Sequence, residues 1–207
     1  MKERFLDLWS RIGAEGSGER EFEELYARYT ESHRAYHNIW HIEDCLAEFD
    51  TAKHLASDPL ALEMAIWYHD VIYETDGSAD NEKESADLAY STLVKAGVSE
   101  AFAEKVRYLI MATKHETIPE EGDAKLMADI DLATLGQPWE KFNRNRKNIR
   151  EEYSRIPYEN FAAGTRKIFE GFMNKQKRPS IYQTEFFRNK YEVAAETNMN
   201  RAMALLG

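Results

Sequence analysis

Three observations predict an all-α protein. Apolar residues recur at intervals of three and four along most of the 207-residue chain, the spacing that gathers them on one helix face. Alternating runs rich in Val, Ile and Thr, which are typical of strands, are missing from the sequence. Residues that begin or end helices separate the periodic segments. The hydrophobic share of 43% is large enough to form a core.

Four helices are predicted in the N-terminal part, and their boundaries have local causes. The glycine-containing segment 13–18 interrupts the first apolar repeat. Asn38 is a suitable N-cap for the third helix. Asp58 and Pro59 fit the N-cap and the first residue of the fourth. The predicted spans are about 1–12, 22–29, 39–49 and 59–73.

Six further helices follow in the sequence. Gly97 lies where a C-terminal stop is needed, and Gly136 with Pro138 ends a later segment in the same way. The predicted spans are about 81–96, 99–113, 123–136, 138–154, 157–176 and 183–206. With no internal repeat or linker, the sequence predicts one domain over 1–207, with a core of about 20–155 and C-terminal helices of about 157–206 packed on it.

Charge and composition limit the classes of partner. A net charge of -10 lacks the broad basic surface that duplex nucleic acid requires. The basic stretch 141–150 is interpreted as a solvated helix face or as a phosphate-contacting patch. One cysteine, Cys45, excludes an intrachain disulfide. No signal-like or membrane-spanning run occurs, so we expect a cytoplasmic protein without a membrane partner.

Polar side chains occupy positions where the pattern requires apolar ones. His69 and Asp70 lie inside the apolar run 65–73, near the predicted end of a helix. Burying a polar group without a partner costs about 2–7 kcal/mol. A divalent cation would offset that cost, because it prefers neutral imidazole and ionised carboxylate. A hydrogen-bonded His–Asp pair without metal is the alternative.

Two more misfits complete the pattern. Asp131 shares a predicted helix face with Met127 and Leu135, which places a carboxylate on the core stripe. A capping role toward a neighbouring helix is the alternative for Asp131. His41 follows the predicted N-cap Asn38 on the third helix, where a histidine by itself is more often structural. Taken together, these misfits in the order His, His-Asp, Asp predict a metal site.

The order H…HD…D resembles the signature of the HD superfamily of metal-dependent phosphohydrolases. The segments HRAYHNIWHI, WYHDVIYE, DNEKESA, TKH and DIDLATLG are similar to a bacterial subfamily of predicted metal-dependent HD phosphohydrolases. The similarity spans roughly 30–136 strongly and the C-terminal helices loosely. It implies an HD-domain helical bundle with additional C-terminal helices. It also implies hydrolysis of a phosphoester by metal-activated water, with the metal held by His41, His69, Asp70 and Asp131.

The donor set indicates which metals to expect. Two imidazoles and two carboxylates suit Mn, Fe, Co, Ni or Zn better than Mg, which prefers oxygen. Glu74, shortly after the His-Asp pair, is the predicted proton-relay residue, as the resemblance suggests for acidic residues in this neighbourhood. The remaining candidates are expected to bind substrate, and they are Arg34, His37, Lys114, His115, Arg150 and Arg166. His37 and His115 are also candidates for a second metal site.

The predicted substrate is a small phosphorylated molecule, with nucleotides as the favoured class. Two alternatives remain open at this level. One is a non-catalytic module that keeps a metal for stability or ligand sensing. The other is a di-iron oxygenase of the HD type, which would need additional histidine ligands.

Overall fold

The structure, a computed structural model, describes residues 1–120 and 122–206. Over these ranges it is all-helical and contains no strand, so the predicted fold class is confirmed. Two positions covered by the predictions, Glu121 and Gly207, lie outside the described residues. The α-helices are α1 (Lys2–Arg11), α2 (Glu19–Tyr29), α3 (Ile39–Ala52), α4 (Pro59–Tyr68), α5 (Asn81–Lys95), α6 (Glu100–Met111), α7 (Gly122–Asp131), α8 (Trp139–Glu152), α9 (Tyr158–Met173) and α10 (Glu185–Ala204).

Helix α4 is the centre of the core. All its residues from Ala61 to Tyr68 are buried, and the helix contacts α1, α3, α5, α6 and α7. A helix that is apolar around its whole circumference is stable only when other helices surround it. Within the part of the chain that the structure describes, no helix combines the length and apolar character needed to cross a membrane.

Helix α4 ends earlier than the apolar run predicts, and the early end matters for the site. The prediction extended this helix to about Tyr73, but it stops at Tyr68. The main-chain carbonyls of Asp70 and Val71 accept hydrogen bonds from the Arg34 guanidinium at 2.6 and 2.9 Å. The backbone of Ile72 bonds to the Ser85 hydroxyl instead of to its own helix. Tertiary partners therefore replace helical hydrogen bonds just after the last apolar turn.

The segment after α7 brings the C-terminal helices against the core. A 3₁₀ helix, Leu132–Gly136, continues α7 and packs against α10. At Gly136 a Cβ atom would lie 2.4 Å from the Cβ of Tyr191, so only glycine permits this close approach. The Asn198 amide donates to the carbonyls of Leu135 and Gln137, both at 2.8 Å.

Asp129 fastens the start of α10. Its carboxylate is fully buried and accepts hydrogen bonds from Gln183 N, Thr184 N and Thr184 Oγ1 at 2.6, 2.7 and 2.7 Å. Thr184 is itself the N-cap of α10. Burial raises the pKa of Asp129 to about 6, against the opposing effect of these hydrogen bonds. The role considered for Asp131, capping a neighbouring helix, thus belongs to Asp129.

We predict that Asp129→Ala lowers the free energy of unfolding by about 2–4 kcal/mol, because it leaves buried donors without an acceptor. Urea denaturation followed by circular dichroism measures the change. Asp7→Ala, at an exposed position on α1, is the control and should change stability by less than about 0.5 kcal/mol. Equal stabilities of the two variants would show that Asp129 does not fasten α10.

Candidate metal centre

Four side chains from three helical regions converge at one buried point. His41 lies on the first turn of α3, His69 and Asp70 follow the end of α4, and Asp131 is the last residue of α7. His69 is 1% exposed, and the Asp70 and Asp131 side chains are 12% and 18% exposed. The side chains that share one pattern in the sequence therefore share one site in the fold.

The distances among these four side chains are short. His41 Nε2 lies 3.1 Å from His69 Nε2 and 3.3 Å from both Asp70 Oδ2 and Asp131 Oδ1. His69 Nε2 lies 3.2 Å from Asp70 Oδ2 and 3.5 Å from Asp131 Oδ1. A metal with bonds of about 2.1 Å separates its neighbouring ligand atoms by about 3.0 Å at right angles and about 3.4 Å at tetrahedral angles. The observed separations fit a shared divalent ion.

The orientation of His69 also fits a metal ligand. Its Nδ1 lies 2.9 Å from the main-chain carbonyl oxygen of Ile66. A carbonyl oxygen only accepts, so Nδ1 carries the proton and donates it. In the neutral ring, the lone pair of Nε2 then faces the other three side chains. This orientation of a ligand histidine by a carbonyl is frequent in metal sites.

Opposite charges control the ionisation of the cluster. Burial alone would raise the pKa of Asp70, but the charge of His69 and hydrogen bonds from both histidines hold that pKa well below its usual range. Burial would likewise raise the pKa of Asp131, and hydrogen bonds from three histidines, His115 first, keep it low. For His69, burial lowers the pKa, but the neighbouring carboxylates raise it well above its ordinary value. A metal must therefore displace protons from the imidazoles to bind.

Cys45 provides a second possible donor set. His41, Cys45, His69 and Asp131 each offer a ligand atom, and these atoms all lie within 4.8 Å of one another. The Cys45 sulfur is 3.7 Å from His41 Nε2 and 3.9 Å from His41 Nδ1, so it lies beside the ring. Asp70 Oδ2, in contrast, lies 3.2–3.3 Å from the Nε2 atoms of both histidines. Asp70 and the Cys45 thiol are therefore two candidates for the fourth ligand, and the assignment to Asp70 stays a prediction.

Arg34 holds the main chain next to the cluster. Its guanidinium donates to the carbonyls of His37, Asp70 and Val71 and to the Glu31 carboxylate. These bonds occupy four of its five N–H groups. The expectation that Arg34 binds substrate receives no support from this geometry, because the guanidinium is buried against the protein's own backbone.

His115 contacts the second carboxylate oxygen of Asp131. Its Nε2 lies 2.8 Å from Asp131 Oδ2, the oxygen that does not face His41 and His69. It has φ 55°, the only positive φ of a non-glycine residue among those described. A left-handed backbone is unfavourable for such a side chain and is typically retained at functional sites. The structure thus brings His115 next to Asp131, and its role in binding substrate or a second metal stays a prediction.

His37 is oriented by a buried glutamate. Its Nδ1 lies 2.7 Å from Glu152 Oε2, and Glu152 Oε1 accepts from the backbone N–H groups of Tyr36 and His37, each at 2.7 Å. Burial raises the pKa of Glu152, but these hydrogen bonds and the charge of His37 hold it below its usual range. The His37 ring stacks on Tyr73 at 3.8 Å and lies 5.9 Å from the His41 ring, between centroids. The His37 ring therefore lies next to the candidate metal centre.

The other predicted cations lie in structural interactions. Lys114 pairs with Asp80 at 2.8 Å. Arg150 donates to the carbonyl of Tyr153 at the end of α8, and its guanidinium lies 5.1 Å from the Phe161 ring. Arg166 is half-buried on α9. Their assignment to substrate stays a prediction.

Glu74 and Glu82 differ in their exposure to solvent. Glu74 is exposed, and its main chain is held by two hydrogen bonds to the Asn81 amide. Glu82, in the first turn of α5, is half-buried. Burial raises the pKa of Glu82, and the nearby charge of Asp70 raises it further. The catalytic role predicted for Glu74 stays a prediction, and the charge of Asp70 makes Glu82 a second carboxylate to consider.

Two cavities adjoin these residues. One of about 90 Å³ reaches His41 and Asp131 and is also lined by Cys45, Thr134 and Lys141. The other, about 260 Å³, is a cleft beside His115 whose walls include Tyr108, Met111, Lys114 and Pro119. The candidate centre is therefore accessible from the surface.

Glu152 and Cys45 have site positions that the sequence reasoning did not assign. Glu152 follows Phe142, Asn145 and Ile149 at helical spacing, which placed a carboxylate on an otherwise inward face of α8. That spacing was the available signal. Cys45 lies four residues after His41, and this spacing of one helical turn was also a visible signal.

No protein-family model, curated protein or solved structure matches the chain.

We predict that His69→Ala and Asp70→Ala bind divalent metal at least about tenfold more weakly than wild type, because each removes a charge or lone pair from the cluster. Elemental analysis of the purified proteins measures the metal content. A chelator should lower the melting temperature of the wild type, since metal at a hundredfold excess over Kd stabilises by about 2.7 kcal/mol.

Cys45→Ser is the matched control and should retain both the metal and the response to chelator. Loss of metal in Cys45→Ser with full retention in Asp70→Ala would instead assign the thiol as the fourth ligand. Equal metal content in all four proteins would contradict a site at this cluster.

Proposed function

We propose that the chain is a metal-dependent phosphohydrolase of the HD type that acts on a small phosphorylated molecule, with nucleotides as the favoured class. The observation that carries the proposal is the convergence of His41, His69, Asp70 and Asp131, with separations of 3.1–3.5 Å. The resemblance of the H…HD…D segments to that superfamily supports the reaction class.

The ligand side chains determine which ion would suit the site. Two imidazole nitrogens with two carboxylate oxygens favour Mn, Fe, Co, Ni or Zn over Mg. Such an ion, when bound, polarises a phosphoryl oxygen and lowers the pKa of a coordinated water. The protein contributes the fixed arrangement, since Arg34 holds the backbone at Asp70 and His115 holds the far oxygen of Asp131.

We also propose that His37 holds a substrate oxygen beside the metal ligands. Glu152 fixes one nitrogen of its ring and Tyr73 stacks on its face, so that the ring has little rotational freedom. A restrained imidazole binds a ligand at a smaller entropic cost than a mobile one. This arrangement supports the predicted substrate-binding role of His37.

Glu82 is a second candidate for proton transfer beside Glu74. A carboxyl group with a raised pKa can hold a proton near neutral pH and deliver it to a leaving group. Burial and the charge of Asp70 shift the pKa of Glu82 in this direction, whereas Glu74 is exposed. We therefore propose Glu82 for the proton-relay role, with Glu74 as the residue to compare.

The cleft beside His115 would take the remainder of the substrate. Its volume of about 260 Å³ suits a small molecule rather than a polymer. Tyr108 and Met111 offer apolar surface, and Lys114 offers a positive charge at its edge. Such a combination favours a substrate with both an aromatic or apolar part and a phosphate, as in a nucleotide.

The test is turnover on a panel of nucleotides and sugar phosphates, with metal-free protein and with each of the five candidate ions added. We expect phosphate release that depends on added metal and is absent from Asp131→Ala. A metal content of one ion per chain would agree with a mononuclear site, and two would favour a binuclear one. Absence of turnover with every ion would contradict the proposal and favour a non-catalytic binding module.

We predict that Glu82→Gln reduces kcat by about 10²–10⁴-fold with wild-type metal content, because a positioned acid or base contributes that factor. Glu74→Gln is the matched control, since it removes an exposed carboxylate four residues after Asp70. We expect it to retain turnover within about threefold of wild type. The reverse result, a large loss only in Glu74→Gln, would return the role to Glu74.

A further inference from the structure

Arg178 is a buried arginine in an exposed segment. The preceding residues 175–177 and the following Pro179 are exposed, but Arg178 itself is 6% exposed. Long cationic side chains are seldom buried unless they are paired. The segment between α9 and α10 therefore buries the cationic side chain of Arg178, which is energetically unfavourable.

The Arg178 guanidinium has no hydrogen bond or ion pair with any residue that the structure describes. Its Nη2 is one of three buried side-chain nitrogen or oxygen atoms in the described chain without a partner. Burial lowers the pKa of Arg178, and the charges of Asp129 and Glu192 act against that effect without contacting it. Both carboxylates are already occupied, Asp129 by the start of α10 and Glu192 by backbone N–H groups and Lys175.

Arg178 packs against an aromatic ring that also contacts a residue of the candidate metal centre. Its guanidinium carbon lies 4.9 Å from the centroid of the Phe172 ring. His115 packs against the same ring at 5.9 Å and holds the metal-site residue Asp131. A second buried nitrogen without a partner, Nδ1, belongs to His115. Two of the three unpartnered atoms thus belong to residues that flank Phe172.

We infer that Arg178 binds an oxyanion, and that this oxyanion is an anionic group of the substrate. A buried cation without a counterion is costly, and a planar guanidinium with free N–H groups matches phosphate or carboxylate in a bidentate arrangement. Phe172 restrains the guanidinium, so less freedom is lost when the anion binds. The existence of the anion site stands on Arg178 alone, while its assignment to substrate rests on the proposed function.

Thermal denaturation of the full-length wild type, Arg178→Met and Arg188→Met, in chloride buffer with and without saturating inorganic phosphate, tests the inference. Methionine keeps much of the side-chain volume and removes the charge. We expect Arg178→Met to melt at or above the wild-type temperature without phosphate, since it removes an unpaired buried charge. Phosphate should raise the melting temperature of the wild type, and it should leave that of Arg178→Met unchanged.

Arg188→Met is the control because Arg188, on the first turn of α10, is half-buried but has a partner, the carbonyl of Gln183 at 2.7 Å. It should lose stability and keep the wild-type response to phosphate. Titration calorimetry should show phosphate binding to Arg178→Met at least about tenfold weaker than to wild type. An equal phosphate response in wild type and Arg178→Met, or no response in either, would overturn the inference.

Metal-site variants separate this inference from the proposed function. His69→Ala should keep the phosphate response, because Arg178 does not depend on the ligand cluster. Competition between phosphate and a hydrolysed substrate, lost in Arg178→Met, would identify the anion as part of the substrate. Phosphate binding through Arg178 without such competition would overturn the assignment to substrate and leave a separate anion site.

Discussion

The meeting of two imidazoles and two carboxylates inside the core is the constraint on which the rest of the structure depends. Charged groups this deeply buried are tolerated only when opposite charges and hydrogen bonds surround them. His41, His69, Asp70 and Asp131 satisfy one another across 3.1–3.5 Å, and each comes from an element that the fold brings to this point. The same helix packing around α4 that forms the core therefore also brings these four side chains together.

A second layer of polar contacts keeps this arrangement in place. Arg34 replaces helical hydrogen bonds after α4, so that the chain turns at His69 and Asp70 instead of continuing as a helix. His115, which contacts Asp131, has a left-handed backbone conformation with positive φ. Such local departures from regular structure concentrate where a site must be held in one geometry.

The C-terminal helices connect to this centre through polar contacts as well as apolar packing. Asp129, two residues before the site residue Asp131, holds the start of α10. Tyr182 donates to the carbonyl of Leu132 in the segment just after Asp131. The segment that carries Arg178 is thereby attached to the end of α7. This connection gives a physical reason for Arg178 and the candidate metal centre to keep a fixed relative position.

The agreement between predicted and observed helices has a simple cause. Apolar periodicity, caps and glycine stops act between residues three or four apart, so they can be read without the fold. Asn38, Asp58 and Thr184 cap helices as local chemistry requires. The polar misfits at His41, His69, Asp70 and Asp131 were also visible, because each interrupts an apolar pattern at a known position.

The sequence by itself determined the all-helical class, most helix positions apart from the end of α4, and the four side chains that the fold brings together. Only the tertiary structure decided which partner each polar group meets. The Arg34 guanidinium donates to main-chain carbonyls after α4, and Glu152 contacts His37, which lies 115 positions away in the sequence. Likewise, the burial of Arg178 could not be read from a segment of exposed cations. Contacts between residues far apart in the chain depend on how helices pack, and local periodicity carries no record of that packing.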